Sequence, residues 1–137
     1  MDKTWVVLAG LAHLGLVGVG TQVPRAFRWK EQLARLGAAN RRLFWVYGVF
    51  IVLANVGFGA LSLVYAADIA AGKGVAGGFA LFLSVYWLAR LATQYLVFTT
   101  PDFPEEGRRP LVKHGFGLLF LLMSGVYLAA FVIGRIA

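Results

Sequence analysis

The sequence predicts an all-α integral membrane protein: a four-helix bundle with a cytoplasmic interfacial amphipathic helix between its first two spans. Three observations predict it. Of 137 residues, 60% are hydrophobic and 14% charged, whereas about 45–50% apolar and about 25% charged is ordinary for a soluble domain. Four apolar runs, at 4–23, 43–67, 75–100 and 111–134, each reach the roughly 20 residues that a spanning helix needs. The six acids (Asp2, Glu31, Asp68, Asp102, Glu105 and Glu106) all lie outside those runs. The runs occupy most of the chain, so residues 1–137 read as a single membrane domain.

The first run, 4–23, ends at Pro24. Only Asp2 and Lys3 precede it, and no small-x-small site lies between it and the basic segment that follows. It therefore reads as a retained span rather than a cleaved leader. Residues 25–39 form a basic amphipathic stretch. At helical spacing, Ala26, Trp29, Leu33 and Leu36 share one face, and Arg25, Arg28, Gln32 and Arg35 share the other. That is the pattern of a helix lying in a membrane interface, where an anchoring role is the ordinary expectation. Asn40 is placed to cap the second span, with Trp45 and Tyr47 at the depth of an aromatic belt.

The second connection, Asp68 to Gly78, is short and glycine-rich and reads as a tight hairpin. The third, Thr100 to Pro110, carries Pro101, Pro104 and Pro110 and reads as a stiff turn. Its acids are expected to pair with the basic first connection or to reach the end of the bundle. Glycines within the spans read as packing positions, because small residues let membrane helices approach closely.

The net charge of +7 suggests nucleic acid at first sight, but its distribution argues otherwise. Of 13 Lys and Arg, six lie in the first connection (Arg25, Arg28, Lys30, Arg35, Arg41, Arg42) and three around the third (Arg108, Arg109, Lys113). Lys3, Lys73 and Arg135 lie at the opposite ends of the spans, and Arg90 completes the set. The positive-inside rule then puts both termini outside the cytoplasm. The basic groups face anionic lipid headgroups rather than nucleic acid. There is no cysteine, which excludes disulfides, thiol catalysis and thiolate metal sites.

Arg90 is the one charge inside the third run. A guanidinium keeps its proton, and a charge at mid-bilayer costs about 3 kcal/mol or more. Neutral groups, the lipid interface or an anion from outside the chain must satisfy it. At about 1.5 Å per residue from the inner helix ends, His13, Asn55 and Arg90 fall about 15, 18 and 15 Å deep. Tyr47, Gln94 and His114 fall about 6, 9 and 5 Å deep. Arg90 and Gln94, four residues apart, share a helix face. These six residues are the candidate ligand-binding set of a polar pocket that opens toward the cytoplasm, and the expected guest is an anion.

Several functions can be weighed on these residues. The leading expectation is a protein that acts by binding, as an accessory or assembly subunit of a larger membrane complex. Its Arg90 would be neutralised by a lipid, a cofactor or a partner residue. The expected partners are the lipid bilayer and other membrane subunits or further copies of the chain. The first alternative is an enzyme or carrier for a small anionic or lipid-like substrate in the Arg90 pocket, although the residues lean against catalysis. The second is a haem or chlorophyll held by His13. A bis-histidine haem on His13 and His114 is disfavoured by their depth difference of about 10 Å.

Small multidrug exporters are also four-span chains, but they place an acid in the first span where this chain has His13. Four-span membrane glutathione transferases use arginines and tyrosines on an anionic thiol cofactor, and Arg90 and Tyr95 are faintly similar. Their second-span Glu-Arg and Asn pattern is reduced here to Asn55. The stretches Asn40-Arg-Arg-Leu-Phe-Trp-Val-Tyr47, Phe58-Gly-Ala-Leu-Ser-Leu63 and Arg90-Leu-Ala-Thr-Gln-Tyr95 resemble small four-span bacterial membrane proteins. That resemblance implies a multi-pass bacterial inner-membrane location and carries no activity.

Overall fold

A computed structural model describes residues 1–103 and 106–136. It is all-helical, with no strand among the described residues. Helix α1 spans Lys3–Gly20, α2 Val23–Ala26, α3 Trp29–Gln32, α4 Ala38–Val64, α5 Ala66–Ala71, α6 Gly74–Leu96 and α7 Arg109–Ile136. Four of these, α1, α4, α6 and α7, are long and apolar enough to cross a membrane. Pro104 and Glu105 lie outside the described residues, as does the Glu106 side chain, and with them the pairing expected of those two acids; Asp102 bonds to Thr99 and forms no ion pair among the described residues.

Local chemistry sets the helix ends. Asp2 caps α1 by accepting a hydrogen bond from the Thr4 N–H at 2.9 Å. At the other end Thr21 takes the C-cap position, and its hydroxyl donates to the Gly18 carbonyl at 2.7 Å. Pro24 then sits in the first turn of α2, where its missing N–H costs nothing. Asn40 does not cap α4. That helix begins two residues earlier, with Gly37 in the cap position and no side-chain cap.

The connection between α1 and α4 is not one continuous helix. Arg28 adopts the left-handed conformation, φ 56° and ψ 47°, which costs a non-glycine residue roughly 1–2 kcal/mol. It splits the segment into single turns, α2 and α3, followed by a 3-10 turn at Leu33–Arg35. The break turns Trp29 back onto α4, where its ring lies 4.7 Å from that of Phe44 and 5.1 Å from that of Trp45. Arg28 and Glu31 form an exposed ion pair, a kind of contact worth little.

The second connection also differs from a simple hairpin. Tyr65 interrupts the helix, and α5 folds inward to bury Ala66, Ile69 and Ala70. Gly72 ends α5 with φ +67°. A Cβ there would overlap the Ala130 carbonyl, and one on Gly134 would overlap Gly72 itself. The peptides of Gly72, Gly77 and Gly134 thus meet at near-minimal separation, and Arg135 donates to the Gly72 carbonyl at 3.3 Å.

The long helices associate as two pairs, α1 with α4 and α6 with α7. The first pair crosses closely at Gly10 and Gly59, as small residues permit. Helix α5 packs against α1, α6 and α7, and α1 also touches α7, so the pairs are joined at the end that holds the termini. We call this the terminal end. The opposite end, with residues 21–37, 97–103 and 106–108, is the basic end. The core lies in the terminal half: Val6, Ala9, Ile69, Ala80, Leu83, Trp87, Met123, Tyr127 and Ala130 are buried together. Near mid-height α4 reaches α6 through Phe58, whose ring lies 5.5–6.4 Å from those of Phe79, Phe82 and Tyr86. Beyond Phe58, toward the basic end, the two pairs enclose a cavity.

Candidate functional site: a cavity around Arg90

The cavity has a floor built from side chains of the four long helices. His13 on α1 is fully buried. Its Nε2 lies 2.9 Å from the Trp87 Nε1 on α6. An indole nitrogen only donates, so His13 Nε2 is the acceptor. The proton of the neutral ring is then on Nδ1, which donates to the Ala9 carbonyl at 2.9 Å. The Tyr127 hydroxyl from α7 lies 3.5 Å from that Nδ1 and 2.6 Å from Ser62 Oγ on α4. One buried network therefore links all four long helices and fixes the level at which they meet.

Both nitrogens of His13 are engaged in this network. A tetrapyrrole metal would have to displace Trp87 from Nε2 and leave the indole N–H without a partner. The geometry therefore argues against His13 as an axial ligand. His114 is no second ligand: it is exposed on α7, with Nδ1 2.9 Å from the Tyr95 hydroxyl and its ring stacked on Tyr95 at 5.7 Å.

Below the floor the cavity has a volume of about 720 Å³, within the 300–1,000 Å³ usual for small-molecule sites. Leu16, Asn55, Trp87 and Phe120 mark its inner limit on the four long helices, and Gln22, Phe27, Asp102 and Phe103 lie at its mouth. Between them the wall is largely aromatic and aliphatic, with Tyr86, Phe98 and Phe116 among its members.

Arg90 projects into this wall, half-buried. Its guanidinium carbon lies 5.5 Å from the ring centre of Phe120 and 6.0 Å from that of Phe98, within cation–π range. Among the described residues it makes no hydrogen bond or ion pair. The neutral polar side chains near it make their bonds to other groups, and none accepts from its guanidinium among the described residues. His13 is locked in the floor. Asn55 Nδ2 donates to the Ile51 carbonyl of its own helix at 2.9 Å. Gln94, also buried, donates from Nε2 to the Lys113 carbonyl at 3.0 Å and ties α6 to the second turn of α7. The other charge at the cavity, Asp102, is fully exposed at the mouth. Its carboxylate accepts from the Thr99 N–H and hydroxyl at 2.7 and 2.9 Å, which holds its pKa below the ordinary carboxylate value.

Of the six residues selected from the sequence, Arg90, Gln94 and Asn55 line the cavity. His13 stands behind it, one residue away through Trp87. Tyr47 is 63% exposed and lies outside it, and so does His114. Tyr95 faces His114 rather than Arg90, so the arginine–tyrosine pairing suggested by the membrane transferases is not formed within the cavity. Sequence reasoning missed Trp87, Phe98 and Phe120, which touch the key polar groups. The spacing of Trp87 from Arg90, three residues on one helix, was the available signal. Compared with protein-family models, with curated proteins and with solved structures, the chain matches none.

Proposed function

We propose that this chain is a small polytopic membrane protein that binds an anionic amphiphile in the Arg90 cavity. The observation that carries the reading is an arginine with no polar partner among the described residues, held on aromatic rings in an apolar cavity. A guanidinium offers five donors in a fixed fork that matches an oxyanion, and none of them is used by the described residues. The rings of Trp87, Phe116 and Phe120 suit the ligand's apolar part. The mouth lies at the end that carries nine of the 13 basic residues, so the positive-inside rule turns it toward the cytoplasm and both termini away. A bacterial inner membrane is the location we propose, with the four long helices forming a bundle and residues 25–39 resting at the cytoplasmic interface.

A second reading keeps the chain as an accessory subunit of a larger membrane complex. The observation in its favour is the basic half of α4, where Trp45, Tyr47, Phe50 and Ile51 are all exposed although they point in different directions around the helix. A partner helix seated on the side of Tyr47, Phe50 and Ile51 would cover those three, and its acidic side chain or cofactor would then be the guest of Arg90.

One preparation tests both readings. The protein is purified in an uncharged detergent, and its native mass and absorption spectrum are recorded beside those of Arg90→Leu and Arg28→Leu. Our reading expects a bound anionic amphiphile on the wild type and on Arg28→Leu, and its loss from Arg90→Leu. A copurifying subunit released by Arg90→Leu would move the assignment to the second reading. Identical masses and spectra for all three proteins would contradict both.

A further inference from the structure

The amide of Asn55 carries a second unmet demand in the same cavity. Asn55 is 8% exposed and lines the inner end. Its Nδ2 is committed to the Ile51 carbonyl. Turning the amide over would set oxygen against oxygen, so the orientation is fixed by chemistry. Its Oδ1 is buried and has no hydrogen-bond partner among the described residues. A buried acceptor left unmade is costly, and most such groups in folded proteins find a donor. The neighbouring neutral donors are taken: Trp87 serves His13, and Gln94 serves the Lys113 carbonyl; the Arg90 guanidinium makes no bond to Asn55 Oδ1.

The helix register sets Asn55 opposite Arg90. His13 meets Trp87 through their hydrogen bond, and a Cβ on Gly59 would lie 3.1 Å from that of His13. Residues 13, 59 and 87 therefore share a level. Asn55 lies four residues toward the basic end on α4, and Arg90 three residues on α6, or about 6 and 4.5 Å at 1.5 Å per residue. An acceptor and a cation, neither of them paired among the described residues, thus stand at nearly equal height on two helices that flank one cavity.

Resting on the anionic-amphiphile reading, we infer that the ligand's head combines an oxyanion for Arg90 with a hydroxyl or other protic donor for Asn55 Oδ1. The ligand class is a hydroxylated or protonated anionic amphiphile, such as a 2-hydroxy acid or a monoalkyl hydrogen phosphate. A simple fatty carboxylate lacks the donor. Oδ1 carries almost no exposed surface, so the groups that cover it must move aside when the ligand binds. The volume sets the size. At roughly 30 Å³ per water-sized group, 720 Å³ holds about 24 heavy atoms, which suits a single-chain amphiphile.

The test uses two probes that differ by one hydroxyl, dodecanoate and 2-hydroxydodecanoate, titrated into the full-length protein in uncharged detergent. Binding is read by native mass spectrometry. Wild type should bind the hydroxylated probe at least about 10-fold more tightly, the scale of one buried hydrogen bond. Asn55→Leu, nearly the same shape, should bind both probes equally and about as well as wild type binds dodecanoate. Asn55→Asp, which keeps an acceptor but adds a repelling charge, should weaken both, and it gives a second reading if the leucine variant does not fold. Equal affinity of wild type for the two probes, still lost in Arg90→Leu, would overturn this inference and leave the anion site standing. Weak binding of both that Arg90→Leu does not change would overturn the anion site as well.

Discussion

The two halves of the molecule use the same kinds of residue to opposite ends. In the terminal half, polar groups are satisfied by one another: His13 by Trp87 and Ala9, Tyr127 by Ser62, and Ser124 by the Ser84 carbonyl at 3.2 Å. Glycine backbones pack there at the limit of contact. In the basic half, Arg90 and the Asn55 oxygen have no polar partner among the described residues. Aromatic rings fill the first half and line the second. A chain that needed only stability would have paired or removed both groups. Polar groups within apolar helices are costly and usually mark function. The contrast therefore separates residues that hold the helices together from residues that wait for a ligand.

The largest expected effect lies in the packed half. Gly72→Ala meets both a positive φ and the Ala130 carbonyl, and should lower stability by about 3 kcal/mol or more. Gly15, with nothing within 4 Å of a Cβ, is the control, and Gly15→Ala should change it by less than about 0.5 kcal/mol. Thermal unfolding in detergent micelles compares them; equal effects would mean that the terminal-end contact is not tight.

His13→Leu comes next. It leaves the Trp87 N–H buried without a partner and should cost about 2 kcal/mol. The Trp87 fluorescence should change with it, since the indole loses its acceptor. Unchanged stability would show that the floor network does not join the helix pairs.

Arg90→Leu should do the reverse of both. It removes only cation–π contact, worth less than about 1 kcal/mol at a half-exposed site, while abolishing ligand retention. A loss of stability as large as that of His13→Leu would blur the division between the halves and make Arg90 structural.

The smallest effect concerns the cavity mouth. The Thr99 N–H holds the Asp102 carboxyl below the ordinary value of 3.8. Because the folded value is depressed, the turn's support from Asp102 is present above pH 3.8 and is lost as pH falls through the lower folded value. The carboxyl carbon shift of Asp102, followed by NMR, should titrate below 3.8. Titration at or above it would place the bond to Thr99 in doubt.

Much of the fold was legible because hydrophobic length is a one-dimensional property. The four runs at 4–23, 43–67, 75–100 and 111–134 correspond to α1, α4, α6 and α7, with ends displaced by a few residues. The displacements have local causes: Thr21 closes α1 early, and Tyr65 breaks α4 before the run ends. Helix α5 was hidden because the glycines beside it read as a turn. The break at Arg28 was hidden because amphipathic spacing in 25–39 carries no information about the sign of φ.

The site was legible in depth but not in rotation. Counting residues from a helix end ranks Arg90, Asn55 and His13 by height, yet it does not say which way a side chain faces. Tyr47 and His114 have heights within the cavity half, and both face away from it. Gln94 lines the cavity with Arg90, as the shared helix face predicted. That His13 belongs to the floor depends on Trp87, 74 residues along the chain, and no local pattern encodes that partnership.

The most direct test of the central claim observes the Arg90 guanidinium itself. Its Nε–Hε signal, assigned by its absence from Arg90→Leu, can be followed by NMR as dodecyl phosphate is added to the protein in uncharged micelles. The account predicts a saturable shift of that signal, together with the Trp87 indole, at concentrations that leave the signals of Arg25, Arg28 and Arg35 in place. Shifts confined to those surface arginines, with Arg90 unmoved, would contradict it.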